Sequence, residues 1–429
     1  MDQFIVKGGT PLSGTILPSG NKNEALPALA AVLLTEEPIV LKNVPEILDI
    51  QNMRDLLQSV GVEIVNLEPH TFRLQAQSIS TDMPSFQKAS LIRGSFLLAG
   101  PMLARHGSIH LPAPGGDKIG VRPVRTHLQA LQHLGAQIEL SPEGNYFMQT
   151  NGLRGADIYL DEASVMATEN AVMAAALAEG CTIIHNAASE PHVQGLCCFL
   201  NAMGAKISGI GSNIIVIEGV ASLHGCEYTI QPDHIEVGSF IGLAAVTKSE
   251  LLIQKAGLPH LRMIRMMFEK LGVTTVIQGE DLLIKKEQKM QIASEPFQGV
   301  PKIDDAPWPG FPADLVSIMT VVATQCEGTI LVFEKMFESR LFWVDKLISM
   351  GAKIILCDPH RAVVTGPAPL TGTTLISPDI RAGMSLLIAA MGARGTSVIQ
   401  NIQQIDRGYE QIDVRLNTLG ANISRISSS

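Results

Sequence analysis

The chain has 429 residues, 46% of them apolar and 17% charged, with a net charge of −9 at pH 7. That length asks for two domains of roughly 200 residues, and the acidic balance argues against nucleic acid or an anionic membrane as partner. No apolar run is long enough to span a membrane, no basic and apolar leader opens the chain, and the cysteines and histidines show neither a disulfide framework nor metal-ligand spacing.

Taken in chain order, one unit recurs six times. It opens with a helix of small and aliphatic residues, at 23–34, 95–105, 168–180, 238–248, 315–325 and 382–393. A β-like run follows, at 37–43, 107–112, 181–186, 250–256, 328–334 and 395–401. A second helix then closes on glycine in LQSVGVEI (57–64), LQHLGAQI (131–138), LNAMGAKI (200–207), FEKLGVTT (268–275), LISMGAKI (347–354) and LNTLGANI (416–423). Glycines 61, 135, 204, 272, 351 and 420 read as the left-handed residue that ends a helix. The first helix is apolar all round, which predicts burial on every side, and the second has a polar outer face. Six such units imply three per domain, sharing a core that no unit closes alone.

The residues leading into the six apolar helices carry Lys22, Arg93, Glu169, Glu236, Asp314, Asp379 and Arg381. Capping alone favours Ser, Thr, Asp or Asn there. A cation at a helix N-terminus opposes the dipole, at a cost of up to about 1 kcal/mol, which a bound anion would offset. Any one of these cations also reads as a solvated or paired charge. As a set, they predict an anion site with Asp314 and Asp379 as proton-moving carboxylates among them. Cys326 and the pair Cys197 and Cys198 read as inert thiols.

The ordered motifs SGNKNEALP (19–27), GG-x-x-IG-x-RPV (115–124), SV-x-AT (164–168), FPAD (311–314), FESR (337–340), DIRA (379–382) and IDRGYE (405–410) resemble the UDP-N-acetylglucosamine enolpyruvyl transferase family, relatives of EPSP synthase. The resemblance runs end to end. It implies an α/β fold: a two-domain inside-out α/β barrel with six repeats of a βαβαββ-like unit, three per domain. The lobes would be 22–230, carrying a mobile loop at 112–124, and 1–21 with 231–429. It implies transfer of the enolpyruvyl group of phosphoenolpyruvate to the 3-hydroxyl of UDP-N-acetylglucosamine with release of phosphate, the first committed step of peptidoglycan synthesis. No cofactor or metal, small-molecule partners and a cytoplasmic location go with it.

Carried over by motif, Lys22, Asn23, Arg122, Arg340, Arg381 and Arg407 would hold phosphoenolpyruvate. Arg93, Pro123, Val124, Ser164, Val165, Asp314 and Met336 would meet the UDP-sugar, and Asp117, Asp314 and Asp379 would move protons. Asp314 matches the carboxylate that receives the proton of the sugar hydroxyl. Most of the family has cysteine where this chain has Asp117. A carboxylic acid there can protonate the methylene carbon if burial raises its pKa against Lys118 and Arg122, which lower it.

On the nucleotide side the chain departs from the family pattern. RPVDLH reads RPVRTH with Arg125 and Thr126, SVGAT reads SVMAT with Met166, and PDRIE reads PDHIE with His234. The motif positions leave Arg125 open as a compensating contact. They also leave open an alternative, the same transfer to a different nucleotide acceptor in a secondary pathway. A non-enzymatic repeat scaffold is the remaining reading, and the acidic total argues against its use as a nucleic-acid clamp.

Overall fold

The computed structural model describes residues 2–80, 86–116, 120, 122–294 and 299–427. The described chain divides into two compact units. One takes Met1–Ser19, Gly120 and Pro232–Ser429, and the other takes Gly20–Gly116 and Arg122–Gln231, less the residues outside the description.

Six helices carry the cores: α1 (Lys22–Ala31), α2 (Ala99–His106), α3 (Val165–Ala175), α4 (His234–Thr247), α5 (Val316–Gln325) and α6 (Ile380–Gly392). Every residue of α4 is buried, as the absence of a polar stripe in GSFIGLAAVT dictates. Several small polar residues survive inside because they satisfy their hydroxyls one turn back. Thr320 donates to the Val316 carbonyl at 2.8 Å, and Ser385 to the Arg381 carbonyl at 2.8 Å. Helices α4 and α5 pack closely at Gly242, where an added Cβ would stand 2.5 Å from Ile318 Cγ2. A side chain there would force them apart.

Among the described residues each unit holds three sheets. In the second unit they run Glu227–Thr229, Ile39–Lys42, Thr71–Gln75, Glu63–Glu68; then Ser108–Leu111, Tyr146–Gln149, Gln137–Leu140; then Lys206–Ser208, Ile214–Glu218, Cys181–His185, Asp157–Tyr159. In the first they run Thr374–Ile376, Thr396–Gln400, Gln3–Lys7, Ile423–Ile426; then Val276–Gln278, Asp281–Ile284, Glu250–Ile253, Ser13–Ile16; then Lys302–Asp304, Gly328–Phe333, Arg361–Gly366, Lys353–Leu356. The four-stranded sheets are antiparallel apart from one parallel pair at an edge. The six glycines that end the outer helices have φ of 106°, 100°, 98°, 72°, 104° and 101°, all left-handed. Among the described residues no helix is long and apolar enough to cross a membrane.

Candidate active site

In the first unit the chain leaves Pro312 extended and enters a 3-10 turn, Ala313–Leu315, that runs directly into α5. Asp314 sits in that turn. Its Oδ1 accepts from both terminal nitrogens of Arg340, each at 2.9 Å, and its Oδ2 accepts from Arg381 Nε at 2.9 Å. Arg381 is fixed in turn by its place in the first turn of α6. The capping Asp379 Oδ1 accepts from Arg381 N and Ala382 N, both at 2.9 Å.

Arg381 Nη1 donates to the Tyr409 hydroxyl at 3.2 Å. Ser239 gives its own hydrogen to the Ile235 carbonyl at 2.9 Å, so the Tyr409 hydroxyl donates to Ser239 Oγ at 2.9 Å. The chain Arg381–Tyr409–Ser239 is thus satisfied in one direction. Burial alone would lower the pKa of both arginines. Asp314 with Glu334 and Asp379 outweighs it at Arg340, and Asp314 with Tyr409 and Asp233 at Arg381, so both rise above the ordinary value. Two permanent cations thus converge on one carboxylate, Arg340 through both terminal nitrogens and Arg381 through Nε alone.

His234 opens α4 behind the Asp233 cap and is buried, edge-on to Trp308 at 5.9 Å between ring centres. Burial, then His260 and Arg381, push its pKa to about 3, so it is neutral at pH 7. The family arginine at this position would bring a charge that this ring does not. Arg407 ends the short helix Gln403–Asp406 and donates from Nη1 to Gln404 Oε1 at 2.9 Å. Met336 is partly exposed, and its backbone N–H reaches Asp305 Oδ2 at 3.3 Å.

In the second unit Asn21 caps α1, its Oδ1 accepting from Asn23 N at 2.9 Å and Glu24 N at 3.2 Å. This sets Lys22 at the first helical position, where Nζ meets Asp49 Oδ2 at 2.7 Å. Arg93 begins the 3-10 turn Arg93–Leu98 that leads into α2, and it lies 3.5 Å from the Pro123 carbonyl. Burial, then the like charge of Arg122, lower its pKa to about 10. Gly116 lies between these arginines with φ of 105°; a Cβ there would stand 3.1 Å from Arg93 Cβ and 3.3 Å from Arg122 Nη2. The second glycine of GGDK is therefore required by both its backbone and its neighbours. Gly120, in the first unit, lies so close to Glu338 that a Cβ would meet its carboxylate at 2.3 Å.

Ser164 caps α3 without a side-chain hydrogen bond, Val165 opens the helix, and Met166 packs half-buried on the core. Val124 is buried ahead of the helix Arg125–His133. Arg125 pairs with Asp161, whose Oδ1 also accepts from Thr126 Oγ1 at 2.7 Å. The charge left open as a nucleotide contact is thus already matched by Asp161. Asp117 lies outside the described residues.

The structure brings Asp314, Asp379, Arg340 and Arg381 into one cluster, and sets Arg93 beside Arg122. Sequence reasoning missed Tyr409, Ser239, Asp49 and Asp161. Tyr409 lies within the quoted IDRGYE motif and was within reach. Asp49 and Asp161 give no local signal, because each meets its partner only through the fold. Among the described residues no group of three His, Cys, Asp or Glu side chains is placed to hold a metal ion.

The family EPSP synthase (3-phosphoshikimate 1-carboxyvinyltransferase) matches residues 6–416. UDP-N-acetylglucosamine 1-carboxyvinyltransferase of Treponema denticola is 55% identical over 423 residues, covering 99% of both chains. The chain belongs to the UDP-N-acetylglucosamine 1-carboxyvinyltransferases of the EPSP synthase family. The namesake of Bradyrhizobium diazoefficiens is also 55% identical, over 424 residues, covering 99% of this carboxyvinyltransferase and 98% of its own chain. Among solved structures, the enolpyruvyl transferase NikO from Streptomyces tendae matches with a TM-score of 0.88 at 22% identity, over 100% of this chain and 99% of that one. That likeness shows a shared mixed α/β fold.

Proposed function

We propose that this carboxyvinyltransferase moves the enolpyruvyl group of phosphoenolpyruvate onto the 3-hydroxyl of UDP-N-acetylglucosamine and releases phosphate, the first committed step of peptidoglycan synthesis, in the cytoplasm. The observation that carries it is Asp314 gripped by Arg340 and Arg381, one carboxylate held by two cations of a kind that binds anions. The names of the full-length relatives support the acceptor. In this reading the six units form an inside-out α/β barrel, three in each of the lobes 22–230 and 1–21 with 231–429.

Lys22, Asn23, Arg122, Arg340, Arg381 and Arg407 bind phosphoenolpyruvate, whose phosphate and carboxylate need several cations. Arg93, Pro123, Val124, Ser164, Val165 and Met336 meet the UDP-sugar. The sugar hydroxyl gives its proton to Asp314 as its oxygen bonds to C2 of phosphoenolpyruvate, while the Asp117 carboxyl protonates C3. Phosphate then leaves C2 and a proton leaves C3, which restores the double bond in the product. Asp379 fixes Arg381 and shares in the proton movement.

Purified protein given both substrates should release one phosphate per enolpyruvyl ether formed. No phosphate with UDP-N-acetylglucosamine, but release with another nucleotide, would move the assignment to the alternative acceptor.

A further inference from the structure

Glu334 follows the strand Gly328–Phe333 and has no exposed surface. The parallel register of that strand with Lys302–Asp304 pairs Asp304 with Phe333, so one step further Asp305 stands beside Glu334. Asp305 is equally closed off. Its oxygens accept backbone N–H groups, from Lys335 at 2.5 Å and Met336 at 3.3 Å. Among the described residues no N–H or hydroxyl donor reaches either oxygen of Glu334. What its carboxyl meets is the carboxyl of Asp305, and two carboxyls in contact need a proton between them.

The charges facing Glu334 are Arg340, Asp305 and Asp314. His360 meets its main chain, with Nδ1 2.7 Å from the Glu334 carbonyl. Lys335 pairs instead with Asp304. Arg340 has both terminal nitrogens on Asp314 Oδ1, while its Nε has no hydrogen-bond partner among the described residues.

We propose that Asp305 and Glu334, sharing one proton, are positioning residues for the transfer reaction: they keep Arg340 directed at Asp314 and set the turn that carries Met336. This rests on the function proposed above. With one proton the pair bears a single negative charge, spread over two backbone amides. A second charge on Glu334 would be bare and beside Arg340, and would draw that guanidinium off Asp314. Burial first, and the carboxyl of Asp305 against the opposing pull of Arg340, push Glu334 up to about 9. The pair therefore keeps its proton until the medium is alkaline.

The test compares wild type, Glu334→Gln and Glu334→Ala in phosphate release with both substrates, from pH 6 to 10. Wild type should lose activity near pH 9; glutamine mimics the protonated acid, so kcat of Glu334→Gln at pH 7.5 should stay within about threefold of wild type and that fall should vanish. Alanine should lower kcat more than tenfold without raising KM in proportion. Equal losses in Gln and Ala, or the same alkaline fall in wild type and Gln, would overturn the proposal. Melting curves separate this result from failure of the functional reading. A raised carboxyl pKa gives stability that is full below the unfolded value and lost as pH climbs to the folded one. The Tm advantage of Glu334→Gln over wild type should therefore grow from pH 5 to 9 and level off, whatever the substrate; a constant difference counts against the shared proton.

Discussion

Lys22 Nζ lies 2.7 Å from Asp49 Oδ2, and both side chains are nearly shut off from solvent. The pair holds the ammonium at the first turn of α1, one residue past a cap that is already satisfied by Asn21. Removing one partner of a buried pair leaves the other charge uncompensated, which costs about 3–5 kcal/mol. Asp49→Ala should accordingly lose roughly that much unfolding free energy in urea, while Asp49→Asn, which keeps a hydrogen-bond acceptor, should lose less. Equal losses would show that the charge of Asp49 is not what matters.

Asp314→Asn removes the proposed proton acceptor but keeps one oxygen for the two arginines. Binding of both substrates should change little, and kcat should fall by about 10²–10⁴. Titration calorimetry beside single-turnover phosphate release separates the two effects. Turnover near wild type would take Asp314 out of the proton transfer.

Acid should unfold the protein from an early point. His127 and His234 are both buried, and burial first, with Arg93 near one and His260 near the other, drives each pKa to about 3. A depressed folded pKa means stability that is present above the unfolded value and lost as pH falls toward the folded one. Between about pH 6.5 and 3 each histidine should cost about 1.4 kcal/mol per pH unit. Tm measured against pH should decline over that window, and His127→Gln should flatten it.

Position 117 carries a carboxylate where most of the family has a thiol, and a carboxylate is a poor nucleophile toward an epoxide. Preincubation with fosfomycin should leave activity unchanged, and Asp117→Cys should become sensitive in a time-dependent way. Rapid inactivation of wild type would refute this.

The ends of the outer helices were legible because their punctuation is local. A glycine that must turn left-handed, six times after apolar residues at helical spacing, marks each helix end in the sequence itself. Gly61 and Gly420 show it with φ of 106° and 101°. Asp314, Arg340 and Arg381 were legible as residue types within motifs, though not as one hydrogen-bonded cluster, since Arg381 lies 67 positions from its carboxylate. Asp305 and Glu334 were not legible at all. They become neighbours only through the register of two parallel strands, and nothing in DDAPWPG or FEKMFE announces that register. Arg125 shows the opposite failure: its charge drew attention, but its partner Asp161 arrives from another segment.

The strand Gln3–Lys7 lies between Thr396–Gln400 and Ile423–Ile426, with Gln3 opposite both Gln400 and Ile426. On the ribosome this first strand emerges long before either neighbour exists, and Ser13–Ile16 must likewise wait for Glu250–Ile253. The unit running from Gly20 to Gln231 has all its own strands by then, so it is the part of the nascent chain that can mature first. Gln3–Lys7 therefore lacks both of its sheet neighbours until translation has passed residue 396, while Ser13–Ile16 gains its own much earlier.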